Sequence, residues 1–209
     1  MENDNSIAAF CGGKKLSPRC GQIVAAAIEL LSAGGIAALT IKNLAKAVGV
    51  SEPALYRHFE NKQGILVAIL DRFEAHMGDL FEEALSQEAG VLDRIQVVYA
   101  RVFRSFAAQP ALASVVFAEE IFRHDKRLAE RVARIMDMVE NRILGLIRSR
   151  QGRIECRNDV PPKDLARIVM GSLRFLVTRW RLSGCTFDLE KEGMAFWRSL
   201  RLMIADPTK

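Results

Sequence analysis

The segment from Thr40 to Lys62, TIKNLAKAVGVSEPALYRHFENK, constrains the fold of this chain more than any other. Thr40 carries a hydroxyl that can accept an orphan backbone N–H in a first helical turn. Ile41, Leu44, Ala45 and Val48 follow at helical spacing, so one face of that helix is apolar. Gly49 falls where a helix ends most cheaply in a left-handed residue, and Val50 supplies an apolar contact just beyond it. Ser51 stands at a second N-cap position, and Pro53 sits in the first turn of the helix it opens, where a missing N–H is harmless. Leu55 and Phe59, four apart, can pack inward, which turns Glu52, Pro53, Ala54, Arg57 and His58 outward. Two short helices joined by a tight, Gly-containing turn make a helix-turn-helix, the arrangement that offers its second helix to a DNA groove.

Upstream, Ile23, Ala26, Ala27, Leu30 and Leu31 keep the register of an amphipathic helix that begins near Ser17-Pro18 and stops at Gly34-Gly35. Such a helix can shield the apolar backs of the other two. Between Gly13 and Lys62 there are seven Lys or Arg residues against three acids, so most of the chain's formal net charge of +5 falls on the part that would meet phosphate.

From Ser17 to Leu70 the chain resembles the N-terminal DNA-binding domain of the tetracycline-repressor (TetR) family. The likeness is carried by IELLSAGGIAALTIKNLAKAVGV and SEPALYRHFENKQGIL, with Thr, Gly-Val-Ser, Leu-Tyr-x-His-Phe and Lys in that order. Chemistry alone suits Thr40 and Lys42 to backbone phosphates, through hydroxyl, N–H and ammonium. The resemblance implies the same for Tyr56 and Lys62. Base reading then falls to Glu52, Pro53, Ala54, Arg57 and His58: Arg pairs with guanine, Glu accepts from cytosine N4, and Pro or Ala touches a thymine methyl. Each assignment has a structural alternative. Tyr56 could lock the turn as a half-buried aromatic, Lys42 and Lys62 could be solvated charges, His58 could be packed and hydrogen-bonded, and Ser51 is a cap before it is a DNA ligand.

The expected fold is all-α: a three-helix DNA-binding domain over residues 17–62, then a six-helix regulatory and dimerisation domain over 63–209, with 1–16 as a disordered leader ending in Lys14-Lys15. Helix four runs from Gln63 through Phe81, a fifth spans Val91 to Ala108 before Pro110, and a sixth carries Leu112 to Phe117. A seventh reaches from Asp125 to Arg150. Gly152 to Pro162 is a loop, and the last two helices cover about 163–182 and 189–205. Both have wide apolar faces, which the resemblance implies pair with their symmetry mates in a homodimer; the alternative is that they close the core of a monomer. Two recognition helices about 34–36 Å apart then meet successive major-groove turns of a palindrome.

The resemblance further implies a ligand cavity among helices four to eight. Its candidates are Phe73, His76, Met77, Phe103, Phe106, Phe117, Met136, Met170, Arg174 and Phe175, a largely apolar set that suits a hydrophobic or amphipathic effector. A Met or aromatic stripe at this spacing also describes plain core.

Other function classes find little support. Three histidines and no metalloprotease, P-loop, dinucleotide or nucleophile-elbow motif leave no constellation for catalysis, a metal or a cofactor. The four cysteines lie at spacings unlike a metal pair, as expected of reduced cytosolic thiols, and no N-terminal signal or run of 18 apolar residues indicates secretion or a membrane span. The sequence therefore reads as a cytoplasmic, homodimeric transcription regulator, a repressor of a palindromic double-stranded operator released by a small molecule. The alternative is a DNA-bound adaptor whose C-terminal domain binds a protein. A third reading is a small-molecule carrier with a vestigial DNA domain.

Overall fold

The computed structural model describes residues 18–117, 125–150 and 152–208. The expected leader, residues 1–16, lies outside them. The described residues form ten helices: α1 (Pro18–Ala38), α2 (Ile41–Val48), α3 (Glu52–Tyr56), α4 (Lys62–Leu85), α5 (Val91–Ala108), α6 (Pro110–Val116), α7 (Lys126–Arg148), α8 (Gly152–Glu155), α9 (Pro162–Leu182) and α10 (Leu189–Ile204). Nine are the expected ones, and the chain is all-α as its periodicity predicts.

The tenth, α8, corrects the expectation of a loop after Gly152. The Gly152 N–H donates to Ser149 Oγ (3.0 Å), Arg153 N–H to Ser149 O (3.0 Å) and Cys156 N–H to Gly152 O (2.8 Å), which winds one turn too short to leave a periodic signature. Cys156 then pairs with Ala205 in an isolated antiparallel bridge.

These helices pack as two compact units. One comprises Met1–His76 with Gln109–Ala133, the other Met77–Ala108 with Arg134–Lys209. The division differs from one after residue 62 because α6 packs against α1 in the first unit.

In the first unit α1 buries Ile23, Val24, Ala27 and Leu31, α2 buries Leu44 and Ala45, and α3 buries Leu55. By length and composition α1 could cross a membrane, with a mean hydropathy of 1.5. Here its apolar face backs the helix-turn-helix, and its helical geometry breaks where the sequence predicts, at Gly34 (φ −150°) and Gly35 (φ 63°, ψ −161°). Arg131 of α7 reaches Asp71 (2.5 Å) and Glu74 (3.3 Å) on α4.

In the second unit α5 packs against α8, α9 and α10. Tyr99 lies edge-on to Phe103 (centroids 5.5 Å apart) and tilted against Trp197 (4.8 Å), all fully buried. Burying a phenol needs a hydrogen-bond partner. The Tyr99 hydroxyl has two, Val169 O and Ser172 Oγ, and the Trp197 indole N–H donates to Gln96 Oε1 (3.0 Å). Desolvation pushes the Tyr99 phenol well above its ordinary pKa. From α8, Glu155 accepts the Leu92 N–H (3.1 Å) and so caps α5, while burial and that neighbouring carboxylate push the Cys156 thiol up to about 11.

Close approach of α10 to α5 rests on Gly193, where a Cβ would lie 2.3 Å from the Phe103 ring. Gly193→Ala is therefore expected to destabilise the chain by about 1–3 kcal/mol through overpacking, despite alanine's better helix propensity. Chemical denaturation of the two proteins measures the difference.

Candidate nucleic-acid interface

Helix α2 is anchored at both ends by its own sequence. Thr40, extended at φ −115°, accepts the Asn43 N–H on its hydroxyl (3.1 Å), and Asn43 Nδ2 donates back to Ala38 O (2.9 Å). At the other end Gly49 is left-handed (φ 71°, ψ 39°), its N–H donates to Lys46 O (3.3 Å), and the Val50 N–H donates to Ala45 O (3.0 Å). This turn delivers the chain to Ser51.

The expectation that Ser51 caps α3 with its hydroxyl is overturned: Ser51 has the extended backbone of an N-cap but makes no side-chain capping bond. The two N–H groups a cap normally receives belong to the second and third helical residues. Here the second is Pro53, which has none, and the third, Ala54, donates to Ser51 O instead (3.0 Å). Ser51 is exposed, so its hydroxyl faces solvent with its bonding capacity unspent on the helix.

Helix α3 is shorter than the sequence suggests. It ends at Tyr56, and Arg57 and His58 lie in the turn that follows, with the His58 and Phe59 N–H groups both donating to Leu55 O (2.9 and 3.0 Å). Leu55 is the buried anchor, and Phe59 is only half-buried. Glu52, Pro53, Tyr56 and Arg57 are exposed, Tyr56 at 51 %, while Ala54 is half-buried. Lys42, Lys46 and Arg57 are exposed cations with no ion pair among the described residues.

Two predicted DNA ligands have protein partners as well. His58 is exposed, yet its Nδ1 lies 3.8 Å from Cys20 Sγ of α1. Lys62 Nζ donates to Ile36 O (2.8 Å), and partial burial lowers its pKa from the ordinary lysine value. Sequence reasoning missed Asn43 and Asn61. Both are asparagines at helix starts, and Asn61 Oδ1 accepts the Gly64 N–H (2.9 Å) to open α4.

The ligand-cavity candidates are divided between the units. Phe73, His76 and Phe117 are buried in the first, and Met77, Phe103 and Phe106 in the second. Met136 and Phe175 depart from the expected interior placement: they are 37 and 62 % exposed. Met170 and Arg174 are half-buried, and an Arg174 guanidinium nitrogen lies 3.7 Å from Met136 Sδ. No group of three or more metal-ligating side chains occurs among the described residues.

A profile described as bacterial regulatory proteins of the tetR family matches residues 23–69, and one for the C-terminal region of YsiA-like protein matches residues 73–203. The chain belongs to the TetR family. It is a DNA-binding transcription regulator of the helix-turn-helix type. The nucleoid occlusion factor SlmA of Vibrio atlanticus is 26 % identical over 193 residues, covering 92 % of this chain and 98 % of that protein. SlmA of a Marinomonas species is 28 % identical over 167 residues, 78 % of this chain and 85 % of that one. Among solved structures, the fatty acid degradation regulator FadR of Bacillus halodurans superposes with a TM-score of 0.77 at 21 % identity, over 90 % of this chain and 97 % of that one. FadR of Bacillus subtilis, in complex with stearoyl-CoA, gives 0.68 at 22 % identity, over 88 and 96 % of the two chains. At such identities the structural likeness speaks for the fold alone.

The two N-caps separate in a simple experiment. Thr40→Ala is expected to cost about 1 kcal/mol of unfolding free energy through its lost cap, whereas Ser51→Ala stays within about 0.5 kcal/mol of the parent because no cap is lost. Denaturant titrations of the two variants distinguish them.

Proposed function

We propose that the protein is a homodimeric repressor of a palindromic operator, released by a hydrophobic or amphipathic small molecule. The observation that carries the DNA half of this reading is the exposed row on α3 and its turn, Glu52, Pro53, Arg57 and His58, set on an anchored scaffold. In this reading Thr40, Lys42, Ser51 and Tyr56 hold phosphates and fix register, with Ser51 supplying the hydroxyl that the helix does not use. Arg57 reads a guanine edge, Pro53 and Ala54 touch methyl groups, and Glu52 requires a cytosine amino group to offset its charge.

The dimer half is supported by the apolar side chains that α9 and α10 leave exposed. Leu182 is 74 % and Leu202 81 % exposed, and Ile168, Phe175, Phe196 and Met203 join them. Large exposed apolar side chains on two adjacent helices are what an isologous helix-pair interface covers. The effector reading has its support in the structural neighbour solved with stearoyl-CoA. Action is cytoplasmic, where a chromosomal operator is met.

A second reading, a DNA-bound adaptor with a protein partner, draws on the relatives named as nucleoid occlusion factors, aligned along 78 to 92 % of this chain. Co-purification with an acyl-CoA or fatty acid that lowers operator affinity supports release by a ligand. DNA affinity indifferent to such ligands, with a ternary complex of DNA, this chain and a second protein, supports the adaptor.

Selection of bound duplexes from a random pool is expected to yield an inverted repeat. On that operator Arg57→Ala should cost about 1–3 kcal/mol and relax one position of each half-site. Equal weakening on every sequence would remove Arg57 from base reading. Leu202→Glu combined with Phe175→Glu is expected to shift the mass measured by light scattering at micromolar concentration from dimer to monomer. An unchanged dimer mass would place the interface elsewhere.

A further inference from the structure

We propose that Lys62 acts on DNA recognition as a positioning residue, clasping the chain break at the end of α1 to the foot of α4, and not as a phosphate ligand. The proposal rests on the DNA-binding reading above and concerns how that site keeps its shape.

The reason lies in one carbonyl. In an unbroken helix Ile36 O would receive the N–H four residues on, that of Thr40. The chain leaves α1 there, and the Thr40 N–H turns to Ala38 O instead (3.0 Å). Ala38 O receives Asn43 Nδ2 as well, and the Thr40 N–H that a continuing helix would have offered Ile36 O is spent on the turn into α2. Ile36 O is left needing a partner in a part-buried position, and Lys62 Nζ fills it at 2.8 Å from 26 residues away. A carbonyl in that setting is costly to leave bare, and an ammonium donor makes a stronger bond than a neutral one.

The clasp joins the two ends of the reading head. Ile36 precedes by four residues Thr40, which opens α2, and Lys62 follows by six Tyr56, which closes α3, so the bond fixes where the start of α2 lies relative to the exit of α3. Gly35, at φ 63° inside α1, breaks the continuity between Ile36–Ala38 and the residues before the kink. The lysine adds a positional constraint at Ile36 to those that buried Leu39 and the bonds to Ala38 O supply further on. An ammonium held at 2.8 Å on a backbone carbonyl and partly desolvated has its geometry set by the protein, whereas Lys42, exposed and without an ion pair among the described residues, is free to follow a phosphate.

The test compares Lys62→Met with Lys42→Met in the full chain. Hydrogen exchange on the free protein reads the clasp itself: in Lys62→Met the Leu39 and Thr40 amides are expected to exchange about tenfold faster or more, with Tyr99 and Trp197 amides unchanged. Unaltered exchange at Leu39 and Thr40 overturns the clasp. On the selected operator, Lys62→Met is expected to lose about tenfold or more in affinity while keeping its binding to random-sequence DNA and its parental salt dependence, whereas Lys42→Met flattens the slope of log K against log salt by about 0.9 for each phosphate left without its cation. An equal flattening in Lys62→Met makes Lys62 a phosphate ligand and sinks the proposal. If Lys62→Met does not fold, Lys62→Arg carries the test. A guanidinium is the better phosphate fork, so affinity equal to or above the parent's contradicts positioning, and specific affinity below the parent's at an unchanged slope supports it. A parent protein without salt-dependent DNA binding overturns the proposed function, and the exchange measurement still judges the clasp.

Discussion

The helix-turn-helix depends on the left-handed residue at Gly49. Its φ of 71° ends α2, aims the Val50 N–H back at Ala45 O, and sets the direction in which α3 leaves. The buried contacts on either side, Leu44 and Ala45 before it and Leu55 after it, share one core only if that direction is kept. A Cβ added at Gly49 would meet nothing within 4 Å, so the demand for glycine is one of backbone conformation alone. Substitution there is costly through φ and ψ, on the order of 1–2 kcal/mol, without any clash.

What could be read from the sequence follows how local the causes are. The Thr40 cap, the Gly49 stop, the break at Gly34-Gly35 and the end of α5 before Pro110 each depend on a residue and its neighbours within about a turn, and each is found where the pattern predicts. Ser51 misled because its role depends on which N–H groups remain: Pro53 has none, and Ala54 spends its own on the Ser51 carbonyl. Lys62 and Ile36 stand 26 residues apart, and Glu155 and Leu92 stand 63 apart, so neither bond has a sequence signature. The cavity candidates show a different limit. Helical spacing assigns Met136 and Phe175 to an apolar face, but it does not say what covers that face.

Charge is distributed in a way that suits this division of work. In the second unit Arg101 pairs with Glu83, Arg142 with Glu82 (2.5 Å), Arg201 with Asp93 (2.5 Å) and Arg157 with Asp159 (2.6 Å). The Asp159 carboxyl is accordingly held below its ordinary pKa by the bond from Arg157. Surface pairs of this kind add little stability, but they neutralise cations that would otherwise compete for phosphate. Lys42, Lys46 and Arg57 carry no such partners among the described residues, which leaves their field directed at solvent.

The brevity of α3 has a consequence for how this protein can change. Five residues are far below the length at which a helix holds itself together in water, so its shape is imposed by Leu55 beneath it and Gly49 before it. The side chains that face outward contribute almost nothing to that shape. Glu52 and Arg57 can therefore be exchanged with little loss of folding stability, and a lineage carrying this scaffold can move from one target sequence to another without passing through an unfolded intermediate genotype.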